Sequence, residues 1–212
     1  MIPTLALGGL GRGTRRRNGG YYYWNPADKQ ATVTLTDSDR VATNPSVYAV
    51  GRYARSLTAK SSGKWRVEML PEVTAVGTDT HAFGFATSAS VSNYLGRTAT
   101  AWALWGVKTS NSTVAVYNNN VASADYPVTF AVNDVISLII DIDAGKAWWA
   151  KNGTVISGDP VAGTGAMATF TPGTSLFLAC APAGALDQIR LRTDPAEMTA
   201  ASVSGFTDGW PD

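Results

Sequence analysis

The sequence predicts an all-β protein: one antiparallel β-sandwich, jelly-roll-like in character, preceded by an extended N-terminal arm. Two observations along residues 21–206 predict the sandwich. Short runs of alternating apolar and polar residues recur, and turn residues separate them at intervals of roughly 8–12 residues. Between these runs, no amphipathic pattern is long enough for a helix of more than two turns. A third observation, the change of composition near residue 20, predicts the arm.

The first 20 residues contain six glycines and four arginines but no acidic residue. A segment of this composition cannot bury enough apolar surface to fold alone. We interpret it as an arm that orders against a partner protein, with a disordered tail as the alternative. Four basic residues without interleaved aromatics are a weak pattern for nucleic acid, which is therefore not an expected partner. The expected anchoring residues are Arg12, Arg15, Arg16 and Arg17.

The overall composition indicates a globular chain with enough apolar residues for a core. A chain of 212 residues and 22.3 kDa needs no disulfide staples, and its single cysteine, Cys180, excludes an intramolecular disulfide. The net charge of +1 gives no global attraction to nucleic acid or acidic lipid. No apolar run approaches the roughly 18 residues of a membrane span. Residues 2–10 are apolar but precede the basic cluster, the reverse of a signal peptide, so we do not expect export by that route.

The strands are predicted in order from the folded part's start at residue 21. In 31–36 the residues Ala31, Val33 and Leu35 are expected to face inward, since alternate side chains share one face of a strand. In 81–87 the small side chains share a face, which would let another layer approach closely. The predicted strands are 31–36, 47–53, 65–69, 81–87, 102–107, 113–117, a central strand at 176–181, and 189–192. A turn is expected at 118–120, one helical turn at 195–198, and a tail at 207–212.

Residues 134–156 predict a three-strand meander. Residues 136–142 alternate apolar and polar, and turn residues follow at 143–146. The next strand, 147–150, carries Trp148 and Trp149, one for each face. Asn152 and Gly153 are the preferred pair for a type I′ hairpin turn, because both positions need a positive φ. Residues 154–156 then return as the third strand.

The same stretch resembles the SPRY (B30.2-like) family of concanavalin-like sandwiches. The shared pattern is a strand ending in Asp-x-Asp, a tight turn, an aromatic-rich strand and an Asn-Gly turn. Residues 63–68, Gly-Lys-Trp-Arg-Val-Glu, resemble the family's early strand, and residues 84–96 resemble the variant found in bacteriophage particle proteins. The motifs occur in the family's order, and the resemblance covers roughly 63–206.

The resemblance implies a binding or structural module and no enzyme, although SPRY domains have widely differing partners. The phage variant implies a virion component, assembled in the host cytoplasm: a tail or baseplate attachment protein, or a head decoration or fibre protein. Its implied partners are other virion proteins, bound through the arm, and a host surface glycan or protein. A homo-oligomer is left open.

Aromatic and amide side chains near turns are the candidate binding residues. A ring beside polar turn residues can stack on a sugar or anchor a protein contact. Asparagine side chains can also bind sugar hydroxyls, so a lectin-like domain that recognises host surface glycans is the alternative function. The candidates are Tyr94, Tyr117, Asn118, Asn119, Asn120, Asp125 and Tyr126.

One carboxylate pair raises a third hypothesis, a glycan hydrolase of concanavalin-like fold. Asp141 and Asp143 are two positions apart, which places both side chains on one face of a strand, and such enzymes use two acids. The pair directly precedes a tight turn, where aspartate commonly accepts backbone N–H groups, so we expect a structural role and no catalytic residue. A single histidine, His81, with a single cysteine excludes a structural zinc site. No metal or cofactor is expected, and a calcium site formed by loop carboxylates and carbonyls is left open.

Overall fold

The computed structural model describes residues 20–21, 23–45, 52–73, 81–89, 94–107 and 113–211. These residues form two β-sheets packed as a sandwich, which confirms the predicted fold class. Helical structure within them is limited to a 3₁₀ turn at Pro195–Glu197, and no helix there is long and apolar enough to cross a membrane. The strands in chain order are β1 (Trp24–Lys29), β2 (Thr34–Thr36), β3 (Val41–Thr43), β4 (Ala54–Lys60), β5 (Lys64–Val73), β6 (His81–Ala86), β7 (Ala101–Val107), β8 (Ala115–Asn118), β9 (Val121–Ala122), β10 (Ile136–Asp141), β11 (Lys146–Lys151), β12 (Thr154–Val155), β13 (Ala168–Thr169), β14 (Leu176–Ala181), β15 (Gln188–Arg192) and β16 (Thr207–Asp208).

The first sheet has seven strands in the order β1-β4-β14-β6-β7-β8-β9. The second has nine: its path is β12-β11-β10-β5-β15-β3-β2, with β13 paired to β11 and β16 to β5. The pairing of β16 with β5 is parallel, and the other strand pairings are antiparallel. β14 lies between β4 and β6, the central position that its near-continuous apolar run predicts.

The core lies between the inner faces of the two sheets. β5 contributes Val67 and Met69 to it, from the face on which the sequence places the large side chains. β6 contributes Phe83 and Phe85, whereas its alanines pack in a separate cluster on the other side of the sheet. The strict alternation of a β-strand thus lets β6 serve two apolar layers at once.

The predicted meander is confirmed. β10 pairs with β11 in unbroken register from Ile136 opposite Lys151 to Asp141 opposite Lys146. Trp149 lies in the central core, and Trp148 packs on the opposite face. Asn152 and Gly153 have φ angles of 49° and 84°, as a type I′ turn requires, and β12 returns from that turn.

The first strands differ from the prediction. Residues 31–32 form a turn between β1 and β2, and the N–H of Val33 donates to the carbonyl of Gln30 at 3.0 Å. Val33 is fully buried as expected, but Ala31 is exposed because it lies in that turn. The sequence does not predict β1, since Pro26 and its polar neighbours are typical of loops; an edge strand tolerates proline.

The strand expected at 47–53 lies mostly outside the described residues. Arg52 and Tyr53 are described, and they precede β4, which the sequence does not predict. β4 does not show the apolar pattern of a buried strand, because one of its buried residues is an arginine, Arg55. The Nη2 atom of Arg55 lies 2.9 Å from Asp28, and its Nη1 donates to the carbonyl of Ala89 at 2.8 Å. Because these partners pair its charge, Arg55 can be buried at a position that its residue type would assign to the surface.

Residues 207–211, expected to belong to a tail, are part of the sandwich. β16 pairs with β5 at Thr207 opposite Trp65. Trp210 is fully buried, its ring centroid lies 6.0 Å from that of Trp65, and its Nε1 donates to the carbonyl of Thr58 at 3.1 Å. The sandwich therefore extends beyond residue 206. The sequence does not predict this short strand, because Gly205 and Gly209 on either side of it are typical of turns.

Glu68 fixes the segment that leads to β16. This carboxylate lies on the outer face of β5, fully buried, where it accepts the N–H groups of Thr199 and Ala200 at 3.0 and 2.8 Å. Arg66 bridges Glu68 at 3.0 Å and Asp208 at 2.6 Å. Arg66 thereby holds the C-terminal segment on the sheet.

Candidate binding surface

Two segments that the sequence singles out for binding meet at one end of the first sheet. Residues 94–100, which precede β7, lie against the turn between β8 and β9. The N–H of Asn119 donates to the carbonyl of Thr98, and that of Asn120 to the carbonyl of Gly96, both at 3.1 Å. We call the solvent-accessible part of this junction the tip surface, made of Tyr94, Arg97, Asn119, Asn120 and Val121.

The turn between β8 and β9 has the geometry of a tight hairpin. Asn119 and Asn120 have φ angles of 51° and 60°, the left-handed values of a type I′ turn, which asparagine tolerates better than most residues. The side chain of Asn118 donates to the carbonyl of Ala101 at 2.8 Å. Asn118 is therefore a structural link to β7, and its two neighbours are the exposed amides of the turn.

Gly96 permits the close approach of the two segments. Its φ is +90°, and a Cβ at this position would lie 2.8 Å from the carbonyl oxygen of Tyr117. Any side chain would push the segment away from the hairpin. The tip surface thus depends on a glycine for both backbone conformation and space.

Tyr94 is held by three contacts. Its hydroxyl donates to Oδ1 of Asn120, the guanidinium of Arg97 lies over its ring at 5.4 Å, and Trp105 packs edge-to-face with ring centroids 5.5 Å apart. Trp105 is itself fixed by a hydrogen bond from Nε1 to the carbonyl of Leu95 at 2.5 Å. These contacts give the tip surface a defined arrangement.

The remaining candidate residues are separated from this group. Tyr117 is half-buried on β8, directly under Gly96. Tyr126 forms a bridge with Val114 and packs against the central core, and Asp125 beside it is exposed. The structure therefore brings Tyr94 together with the three asparagines, whereas Tyr126 has a packing role.

Val121 belongs to the tip surface and is missed by the sequence reasoning. Its side chain is 66% exposed, the largest fraction among the exposed large hydrophobic residues of the described chain. A valine in a strand is ordinarily assigned to the core. The one available signal was its position directly after a type I′ turn at the edge of the sheet.

The four candidate anchoring arginines, Arg12, Arg15, Arg16 and Arg17, lie outside the described residues. The place where the arm joins the sandwich is described. Tyr21 forms an antiparallel bridge with Pro211, so the residues that follow the arm lie beside the C-terminal segment.

The carboxylate pair of the hydrolase hypothesis has structural contacts. β10 ends at Asp141, so Asp143 lies in the following turn and the two do not share a strand face. Asp141 accepts the N–H of Ala144 at 2.9 Å and pairs with Lys64 at 2.9 Å. Asp143 accepts the N–H of Gly63 at 3.0 Å. Both acids connect the turn to its surroundings, as expected from their position before it.

The residues described contain no group of three or more His, Cys, Asp or Glu side chains that could hold a metal ion. Cys180 is fully buried in the core, and burial raises the pKa of its thiol well above the ordinary value. A thiol in that state is a packing residue, because the thiolate is the nucleophilic form.

Comparison with known proteins identifies the fold. No family model and no curated protein sequence matches the chain. The SPRY domain of human HERC1 superimposes with a TM-score of 0.63 at 14% identity, covering 83% of this chain and 99% of that one. The TRIM65 PSpry domain gives a TM-score of 0.59 at 10% identity, covering 83% and 92%. Stonustoxin gives 0.56 at 14% identity, covering 81% of this chain but 27% of the toxin chain.

Identities this low establish architecture and leave function to the site itself. The two sheets, the confirmed meander and the three superpositions agree with the resemblance of the motifs. The chain has a SPRY-like β-sandwich fold.

Proposed function

We propose that this protein is a non-enzymatic binding module of a bacteriophage particle. In this proposal the N-terminal arm attaches it to other particle proteins, and the tip surface faces a target molecule. The proposal that the tip surface binds a target rests on one observation, the fixed arrangement of its side chains. Contacts held before binding lose little conformational entropy when a partner arrives, which favours affinity.

The positions of the arm and the tip surface support this division of labour. The arm joins the sandwich just before β1, at one edge of the first sheet, and the tip surface includes β9 at the other edge. Six strand spacings separate those edges, about 29 Å at about 4.8 Å per spacing. A module anchored at one edge can therefore present the other freely.

The particle role is supported by two features of the sequence. The arm is rich in glycine and arginine and poor in core-forming residues, as expected of a segment that orders on a partner. Residues 84–96 resemble the SPRY-like variant of phage particle proteins. A tail or baseplate attachment protein and a head decoration or fibre protein both fit, each located on the virion after assembly in the host cytoplasm.

A protein is the favoured target of the tip surface. The exposed side chain of Val121 adds an apolar centre beside Tyr94 and Arg97, and tyrosine and arginine are among the residue types that dominate protein contacts. Tyr94 already has a guanidinium over its ring, which limits the face available to a sugar. Host surface glycans are the second candidate, favoured by the exposed amides of Asn119 and Asn120.

The experiment that tests the particle role compares particles assembled with the full chain and with a chain that lacks residues 1–20. We expect the truncated protein to be absent from purified particles by immunogold electron microscopy. A matched variant, with the four arm arginines changed to serine, tests whether their charge is the attachment. Equal incorporation of full and truncated chains would contradict the proposal.

Thermal melting of the same truncated chain provides the folding control. We expect its midpoint to stay within a few degrees of the full chain, because the described sandwich begins after the arm. A large loss of stability would instead make the arm a part of the core, and the division of labour would be wrong.

A further inference from the structure

Three of the exposed large hydrophobic side chains of the described chain lie around one end of β5, away from the tip surface. Val73 ends β5 and pairs with Gln188 of β15. Leu186 precedes Gln188 by two residues, and Val132 is adjacent to Asn133, whose N–H donates to the carbonyl of Pro71 at 2.8 Å. We call Val73, Val132 and Leu186 the end patch; their side chains are 39%, 42% and 61% exposed.

The backbone of Leu186 has an energetically unfavourable conformation. Its φ is 65°, in the left-handed region that a bulky side chain rarely adopts. The surrounding loop imposes that conformation: the N–H of Leu186 donates to the carbonyl of Asn44 at 2.7 Å, and Asn44 Nδ2 donates to the carbonyl of Gly184 at 2.9 Å. Gly184 N in turn donates to the buried carboxylate of Asp187 at 2.5 Å. The loop therefore fixes an apolar side chain in solvent.

An apolar groove lies at the same end of the second sheet. It has a volume of about 410 Å³ and is formed mainly by Val128, β12 and Ile156, with Lys151 and Asn152 at its side. β12 ends the sheet, so the groove opens at an edge. Four strand spacings separate β12 from β15, the strand that follows Leu186, which is about 19 Å at about 4.8 Å per spacing.

We propose that the end patch is a contact between two copies of this chain, in which Leu186 of each copy enters the groove of the other. A two-fold contact needs a self-complementary surface, and a projecting side chain with a groove on the same end supplies one. Val73 and Val132 lie near β5, between the two, where the copies would meet around the axis. The partner is thus a second copy of the chain.

The charges at this end permit such a contact. Lys151 beside the groove pairs with Asp134 at 3.0 Å, and Arg190 of β15 pairs with Glu72 and Asp37. Two cations face three carboxylates here, which leaves one net negative charge at this end of each copy, and the whole chain has a net charge of +1. Two copies therefore approach without the repulsion that keeps strongly charged proteins apart.

Sedimentation equilibrium of the full chain tests this contact, from about 1 µM to about 500 µM, the range in which weak association is measured. We expect a reversible monomer–dimer equilibrium. Leu186→Gly should weaken it at least about tenfold, the effect of losing one buried anchor. Its melting midpoint should be equal or higher, because glycine adopts a positive φ without strain.

Two further variants make the test specific. Val161→Gly removes a side chain that is also 61% exposed but lies elsewhere, and it should leave the equilibrium unchanged. Thr154→Arg places a bulky charge on an exposed position of the groove, and it should weaken the dimer as much as Leu186→Gly does.

Cysteine pairing tests the geometry. A mixture of the Leu186→Cys and Thr154→Cys chains should form an intermolecular disulfide under mild oxidation, faster than either chain alone. A monomer at every concentration would overturn the proposal. So would a dimer equally sensitive to Val161→Gly, or equal cross-linking of the Leu186→Cys chain alone.

Discussion

His81 shows how the fold controls a single titratable residue. Its side chain is 1% exposed, with Nδ1 3.8 Å from Oδ2 of Asp187, a carboxylate that is buried to the same degree. Burial lowers the pKa of His81 from 6.5 to about 4, since removing the ring from water disfavours the imidazolium. The histidine is therefore neutral near pH 7 and acts as a packing residue beside Phe83.

The buried histidine predicts a specific loss of stability in acid. His81 of the unfolded chain is protonated below about pH 6.5, whereas His81 of the folded chain is protonated only below about pH 4. The free energy of unfolding therefore falls as the pH is lowered between these two values. From pH 7 to pH 4 the full chain should lose about 3 kcal/mol more than a His81→Gln variant. Urea unfolding at a series of pH values measures this difference. Parallel pH profiles for the two proteins would show that His81 titrates normally in the fold.

Among the elements, the meander was predictable because its signals are local. Alternation in 136–142 and the Asn152–Gly153 pair determine strand, turn and register without reference to distant residues. β4 and β16 were not predictable, because their stability comes from distant partners. Arg55 becomes a strand residue only when Asp28 and Ala89 satisfy it, and β16 needs β5.

The same reasoning explains how much of the site could be foreseen. The Asn119–Asn120 turn follows from its residue types, and Tyr94 was correctly placed near a turn. That Tyr94 and Asn120 touch could not be foreseen, since they are 26 positions apart and meet only through sheet pairing. The exposure of Val121 likewise depends on which strand forms the edge.

Trp210 makes the C-terminal segment an element of the core, and its removal should be costly. We expect Trp210→Ala to lower the free energy of unfolding by about 3–5 kcal/mol, as for other buried aromatic side chains. Denaturant unfolding measures the change, with an unaltered slope as evidence of the same two-state transition. Thr207→Ala, at an exposed position of β16, is the control and should have little effect. If both variants unfold like the parent, the segment is a tail after all.

On the scale of the whole molecule, the sandwich keeps the three proposed interaction surfaces apart. The arm joins next to β1, the tip surface lies at the β9 edge, and the end patch lies at the end of β5. The sheets between them set the distances, so the proposed attachment, target binding and self-association can each be tested by substitutions that leave the other two surfaces unchanged.

Binding of the labelled full chain to intact candidate host cells tests the central claim most directly. The variant to compare is Asn120→Ala with Val121→Asp, both at exposed positions of the tip surface, and its melting midpoint should match the parent. We predict saturable binding that the variant loses by at least about tenfold. Loss after protease treatment of the cells would identify a protein target, and loss after periodate oxidation a glycan. Saturable binding that is equal in the parent and the folded variant would contradict the account, because the tip surface would then have no part in recognition.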